Sequence, residues 1–153
     1  TGAESTARFD DMLGVTSFSE LSPMIHAMLF TVLGETADAL QLYEAHLDAA
    51  MQQGFDRMEG LLRADRAWCR VQAGQQEGAR SDAELADQCL QRPGGWSDRA
   101  IGHSRLVRVY QALGDGDAAR RQAELAASAW AGHRALQAEL VEALDRELGR
   151  IAS

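Results

Sequence analysis

Laid against itself at a shift of forty residues, the sequence places three glycines on one another: Gly34, Gly74 and Gly114. Each ends an apolar helical stretch, and each is followed five residues later by alanine: Ala39, Ala79 and Ala119. Ahead of the glycine the same shift superposes Leu21, Leu61 and Ile101, then Ala27, Ala67 and Val107, then Phe30, Arg70 and Tyr110. Behind it come Tyr43, Ala83 and Ala123, followed by His46, Ala86 and Ala126. Glycine accepts the left-handed conformation that closes a helix, and the acidic or amide residue after it (Glu35, Gln75, Asp115) suits the start of the next. Each unit therefore reads as a helical hairpin whose small second-helix residues let the two backbones approach. One hairpin cannot bury its apolar stripe alone, so neighbours must stack.

With only two prolines, abundant alanine and few aromatic residues, the chain is expected to be all-α: three hairpins of about forty residues plus a C-terminal capping or linker helix. First helices are expected near 21–33, 58–73 and 97–113, with partners near 36–52, 76–91 and 116–131. The hairpins thus occupy 21–52, 58–91 and 97–131, and residues 132–153 form the amphipathic linker. Pro93-Gly94-Gly95 marks the clearest break, with Ser97 a candidate N-cap and Trp96 packing at the start of the next helix. Residues 1–20 are weakly patterned; Phe9, Met12 and Leu13 could form a short helix over the first hairpin, within a partly disordered tail.

Net charge is −8, pI is near 4.9, and all fifteen basic residues are Arg, so nucleic acid is not an expected partner. Arg57, Arg63, Arg66 and Arg70 lie at helical spacing, but Asp56, Glu59 and Asp65 interleave with them, which reads as a solvated mixed-charge face. Absence of Lys beside abundant Ala, Arg and Gly points to a GC-rich, bacterial coding sequence. Cys69 and Cys89 lack zinc or redox spacing and read as buried reduced thiols, implying a cytoplasmic address. The longest apolar run, Met28–Leu33, is too short to cross a bilayer. His26, His46, His103 and His133 have no partner at ligand spacing, and Asp115-Gly-Asp117 falls in a repeat turn, so no metal or other cofactor is expected. No nucleophile elbow, phosphate loop or dinucleotide fingerprint occurs, and Gly14, Gly94 and Gly95 read as turn residues, so no catalytic residues are assigned.

Val107, Tyr110, Gly114 and Ala119, and after them Ala27, Phe30, Gly34 and Ala39, resemble the tetratricopeptide motif over roughly Leu21 to Trp130. The sequence departs from that motif in its forty-residue period against the usual 34, in Arg70 at the aromatic place, and in the displaced proline. The resemblance implies a right-handed superhelix whose concave groove is lined by Leu21, Met24, Met28 and Thr31; by Leu61, Ala64, Trp68 and Val71; and by Ile101, Ser104, Arg108 and Gln111. Such a groove takes a protein or peptide partner. The alternative is that the stripe is buried by the N-terminal segment or the next hairpin.

In the last helix Val141, Leu144, Leu148 and Ile151 step by three, four and three, the seam of a short coiled coil and a candidate homodimer contact. Arg146-Glu-Leu-Gly-Arg-Ile-Ala-Ser153 resembles the linker helix that leads into the GGDEF-type diguanylate cyclase domain of bacterial signalling proteins. That resemblance implies a non-catalytic sensory domain controlling cyclic di-GMP synthesis, in a chain that continues past Ser153. A free-standing scaffold or adaptor, and the helical sensor of a transcription activator, are the other readings.

Overall fold

Gly34, Gly74 and Gly114 turn the chain at φ 84°, 74° and 73°. In each turn the residue after the glycine donates its N–H five residues back, Glu35 to Phe30, Gln75 to Arg70 and Asp115 to Tyr110, each at 2.9 Å. This pairing satisfies carbonyls that the helix end would otherwise leave free. The computed structural model describes residues 19–151, and everything described is helix, turn or short loop. The helices are α1 (Leu21–Leu33), α2 (Thr36–Ala50), α3 (Glu59–Gln72), α4 (Gln76–Leu90), α5 (Trp96–Ala112) and α6 (Gly116–Ile151). The expected short helix at Phe9, Met12 and Leu13, the tail around it and Gly14 lie outside the described residues.

The helices on either side of each glycine turn pack together, α1 on α2, α3 on α4 and α5 on α6, while α3 also packs on α2 and α5. Two adjoining cores result. One gathers Met24, Tyr43, Leu47 and Leu62; the other gathers Ala83, Ala86, Leu90, Leu106 and Val109. The alanines five places past each glycine, Ala39, Ala79 and Ala119, are all buried, and their small size lets the helix backbones close up. Tyr43 and Ala83 are buried too, but their counterpart Ala123 is exposed. That place faces the following pair of helices, and none of the described elements follows α6.

Between α2 and α3 the chain makes a wide turn at Met51–Phe55 and a tight one at Asp56–Met58, with Gly54 at φ 100° allowing the reversal. Several boundaries differ from expectation. Gly95, not Ser97, precedes α5, which begins at Trp96. Asp115 caps α6, accepting the Ala118 N–H at 3.0 Å, whereas Glu35 and Gln75 make no side-chain cap. The break expected near residue 132 does not occur, because α6 runs unbroken for 36 residues. Gly132 is no helix stop; a Cβ there would meet the Trp96 ring at 2.6 Å, so the residue makes room for an indole lying against the helix.

The arginine row of α3 is also not the solvated face expected. Arg57, in the Asp56–Met58 turn ahead of α3, is exposed, but Arg66 grips buried Asp82 of α4 through two bonds of 2.8 and 2.6 Å, and Arg70 adds a third at 2.8 Å. Arg63 lies 3.7 Å from the same carboxylate and pairs with Glu59 at 2.8 Å. A buried carboxylate persists only with such partners, so this cluster fixes α3 against α4. His103, also buried, pairs with Gln122 at 2.7 Å and does the same for α5 and α6. No described helix is long and apolar enough to cross a membrane.

Candidate functional site

Residues forty apart in the sequence meet side by side on α3 and α5. The Arg108 guanidinium stacks on the Trp68 ring at 4.1 Å, and Arg105 Nε donates to Asp65 Oδ1 at 2.8 Å. One turn of helix separates the two contacts, so they form a two-rung ladder along the joint between these helices.

The lower rung is sunk in the protein. Asp65 is buried, and its other oxygen accepts from the Tyr43 hydroxyl at 3.4 Å. Tyr43 in turn lies 3.4 Å from the Thr31 hydroxyl, which donates to the Ala27 carbonyl at 2.8 Å. Burial pushes the Asp65 carboxyl above its ordinary range, with Arg105 and the tyrosine hydroxyl pulling the other way. Burial, reinforced by the Asp65 charge, drives the Tyr43 phenol well above its usual range. This polar chain ties α1, α2, α3 and α5 together beneath the site and holds Arg105 in place.

The upper rung faces outward. Arg108 is exposed, and among the described residues no carboxylate pairs with it. A cleft of about 530 Å³ lies on one side of the ladder, lined by Thr31, Val32, Leu33, Gly34, Thr36, Trp68, Gln72, Arg105 and Arg108. A second, of about 250 Å³, lies on the other side between Ile101, Ser104 and Trp130, with the same two arginines as its shared wall. Trp130 reaches in from α6, donating its indole N–H to the Ser104 hydroxyl at 3.2 Å, while that hydroxyl donates to the Ala100 carbonyl at 2.7 Å. Together the clefts offer an apolar wall, an indole face and one guanidinium free to meet an acceptor, which are groups suited to binding.

Of the groove residues expected from sequence, Thr31, Trp68, Ile101, Ser104 and Arg108 line these clefts. Met24 and Leu61 do not, since both are buried. Met28 and Val71 are partly buried against the cores, and Gln111 is exposed on α5 outside the two clefts. Trp130, Gln72 and Arg105 were not singled out. Arg105 had a legible signal in the opposite charge of Asp65 forty residues earlier; Trp130 had none, because its arrival depends on how α6 folds back over α5. The four seam residues Val141, Leu144, Leu148 and Ile151 are all exposed on α6, far along the helix from the clefts.

Cys69 is buried and Cys89 half-buried, both free, and burial pushes both thiols up. Among the described residues no three His, Cys, Asp or Glu side chains converge as a metal site would require. No family model, curated protein or solved structure matches the chain.

Proposed function

We propose that the chain is a non-catalytic protein-interaction and sensory domain, built as a tetratricopeptide-like superhelix of three hairpins, that passes the state of its groove to an output module through α6. The reading rests on Arg108, a guanidinium stacked on Trp68, without an acidic partner among the described residues and open to the two clefts. In a chain of net charge −8, an arginine left uncommitted on an indole is a group suited to engage a bound protein or peptide. The output favoured by the Arg146–Ser153 resemblance is a diguanylate cyclase in the bacterial cytoplasm, its two cyclase domains brought together as the exposed seam of α6 pairs with that of a second copy.

The test is made on the native protein. Its intact mass and a peptide map across Ser153 are measured, and GTP turnover of that chain is compared with its Trp68→Ala variant. A cyclase segment after Ser153, and severalfold altered turnover at unchanged helicity, support the proposal. A chain ending near Ser153 leaves a free-standing scaffold instead, and loss of helicity in the variant assigns Trp68 to the core.

A further inference from the structure

Two guanidiniums stand on the wall between the clefts, and they are held in different ways. Arg105, its side chain only 14% exposed, gives its Nε–H to Asp65 at 2.8 Å, and its two terminal nitrogens meet no acceptor among the described residues. Arg108 rests on the Trp68 ring at 4.1 Å, and none of its N–H groups has an acceptor among the described residues. Both arginines line both clefts, and no Asp or Glu lines either. Asp65 offsets one of the two charges and leaves the other over. The wall is thus a pair of donor forks, fixed from below by an ion pair and from the side by an indole, with a single positive charge to spare.

We infer that this wall reads one internal Asp or Glu side chain of an extended peptide that carries apolar residues on either side of it; the inference rests on the protein-interaction reading above. A planar carboxylate matches a guanidinium fork, and its single charge matches the charge left over. A doubly charged phosphate would overfill the site in a chain whose net charge is already −8. Away from the wall that net charge repels an acidic peptide, so the attraction is local and selective. The acid is internal because the clefts lie on both sides of the arginines, where a terminal carboxylate would fill only one. Its neighbours are apolar because Val32, Leu33 and the Trp68 ring line one cleft and Ile101 and Trp130 the other. In an extended peptide, side chains two places apart share a face and stand about 7 Å apart. With the acid on the wall, its second neighbours in each direction therefore point into the clefts.

The test selects random linear peptides displayed on phage against the full chain. Enriched sequences should share an Asp or Glu with an apolar residue two places to each side. Made synthetically, such a peptide should lose roughly tenfold or more in affinity when the acid is replaced by its amide, and the Arg108→Gln variant should no longer tell the two apart. If that variant loses helicity, the Arg108 Nε–H resonance of the parent decides: it should move with the acid peptide and stay in place with the amide. Enriched peptides that tolerate the amide overturn the inference and leave the interaction reading standing, whereas a library that yields no binder overturns both. Tighter binding with phosphoserine in place of the acid, or equal binding by a peptide cut to end at the acid, overturns the inference in favour of a phosphate or a chain terminus.

Discussion

The Leu90 side chain occupies the volume that a Cβ on Gly102 would need: an atom placed there would stand 2.7 Å from Leu90 Cδ2. Gly60 of α3 meets the same leucine at 2.8 Å, so Leu90 of α4 is wedged into a notch cut by two glycines on different helices. Alanine in place of a mid-helix glycine gains about 1 kcal/mol of helix propensity, but overfilling a packed core costs about 1–3 kcal/mol. Gly102→Ala should therefore lower stability in urea denaturation by about 1 kcal/mol. Gly149→Ala, with open space around it, should instead raise the helicity of α6. In a Leu90→Ala background Gly102→Ala should turn neutral or stabilising; persistence of the full cost there would show that the notch is not its cause.

Asp82 is the single acceptor shared by Arg66 and Arg70, with Arg63 just beyond. Removing one side of a buried ion cluster strands the other, at about 3–5 kcal/mol. Asp82→Ala should lower the unfolding free energy by about 3 kcal/mol or more, whereas Arg57→Ala, at an exposed position of the same row, should stay within about 0.5 kcal/mol. Equal effects would return the arginine row to the solvated face its sequence suggests.

Asp65 makes stability depend on pH with a definite sign. Its native pKa is raised, so the folded state holds this proton more readily than the unfolded chain. Its contribution is complete below the ordinary carboxylate range and is lost as pH rises through the native value. Arg105→Met removes a charge that holds that value down and pushes it further up. The variant should be less stable than the parent by about 3 kcal/mol at neutral pH, and the gap should narrow on acidification as its Asp65 takes up a proton. Denaturation midpoints across the acid range check this; a gap independent of pH would refute the ion-pair account.

Arg108 is the cleaner probe of the groove. An exposed cation–π contact contributes about 0.5–1 kcal/mol, so Arg108→Ala should shift the thermal midpoint only slightly. Trp68 also packs against the second core, and Trp68→Ala should cost several times more. A large stability loss from Arg108→Ala would mean that this arginine holds the fold.

Much of the helix layout was legible because glycine at positive φ is a local requirement. Gly34, Gly74 and Gly114 announce their turns, and the alanines behind them announce the close faces. Asp82 was not legible, since the same spacing that puts Arg63, Arg66 and Arg70 on one helix face suits both water and a buried acid on a neighbouring helix. Met24 and Leu61 show a related limit: positions matched by a motif share a direction on the helix, yet depth depends on what packs above them. Trp130 and Gly132 act through contacts with α5, and such meetings have no sequence pattern of their own. The continuity of α6 was not legible either: the helix runs through Gly132, whose missing side chain admits the Trp96 ring.

From residue 134 to residue 151 every position of α6 is exposed, which at 1.5 Å per residue is a free arm of about 27 Å. Its root is the joint with α5, where His103, Gln122 and Trp130 set the angle. For a rigid arm of that reach, a tilt of about 10° at the joint would carry the tip through about 5 Å, roughly one helical turn. A side-chain adjustment around Ser104 that tilted this joint would thus be magnified severalfold at the far end by leverage alone.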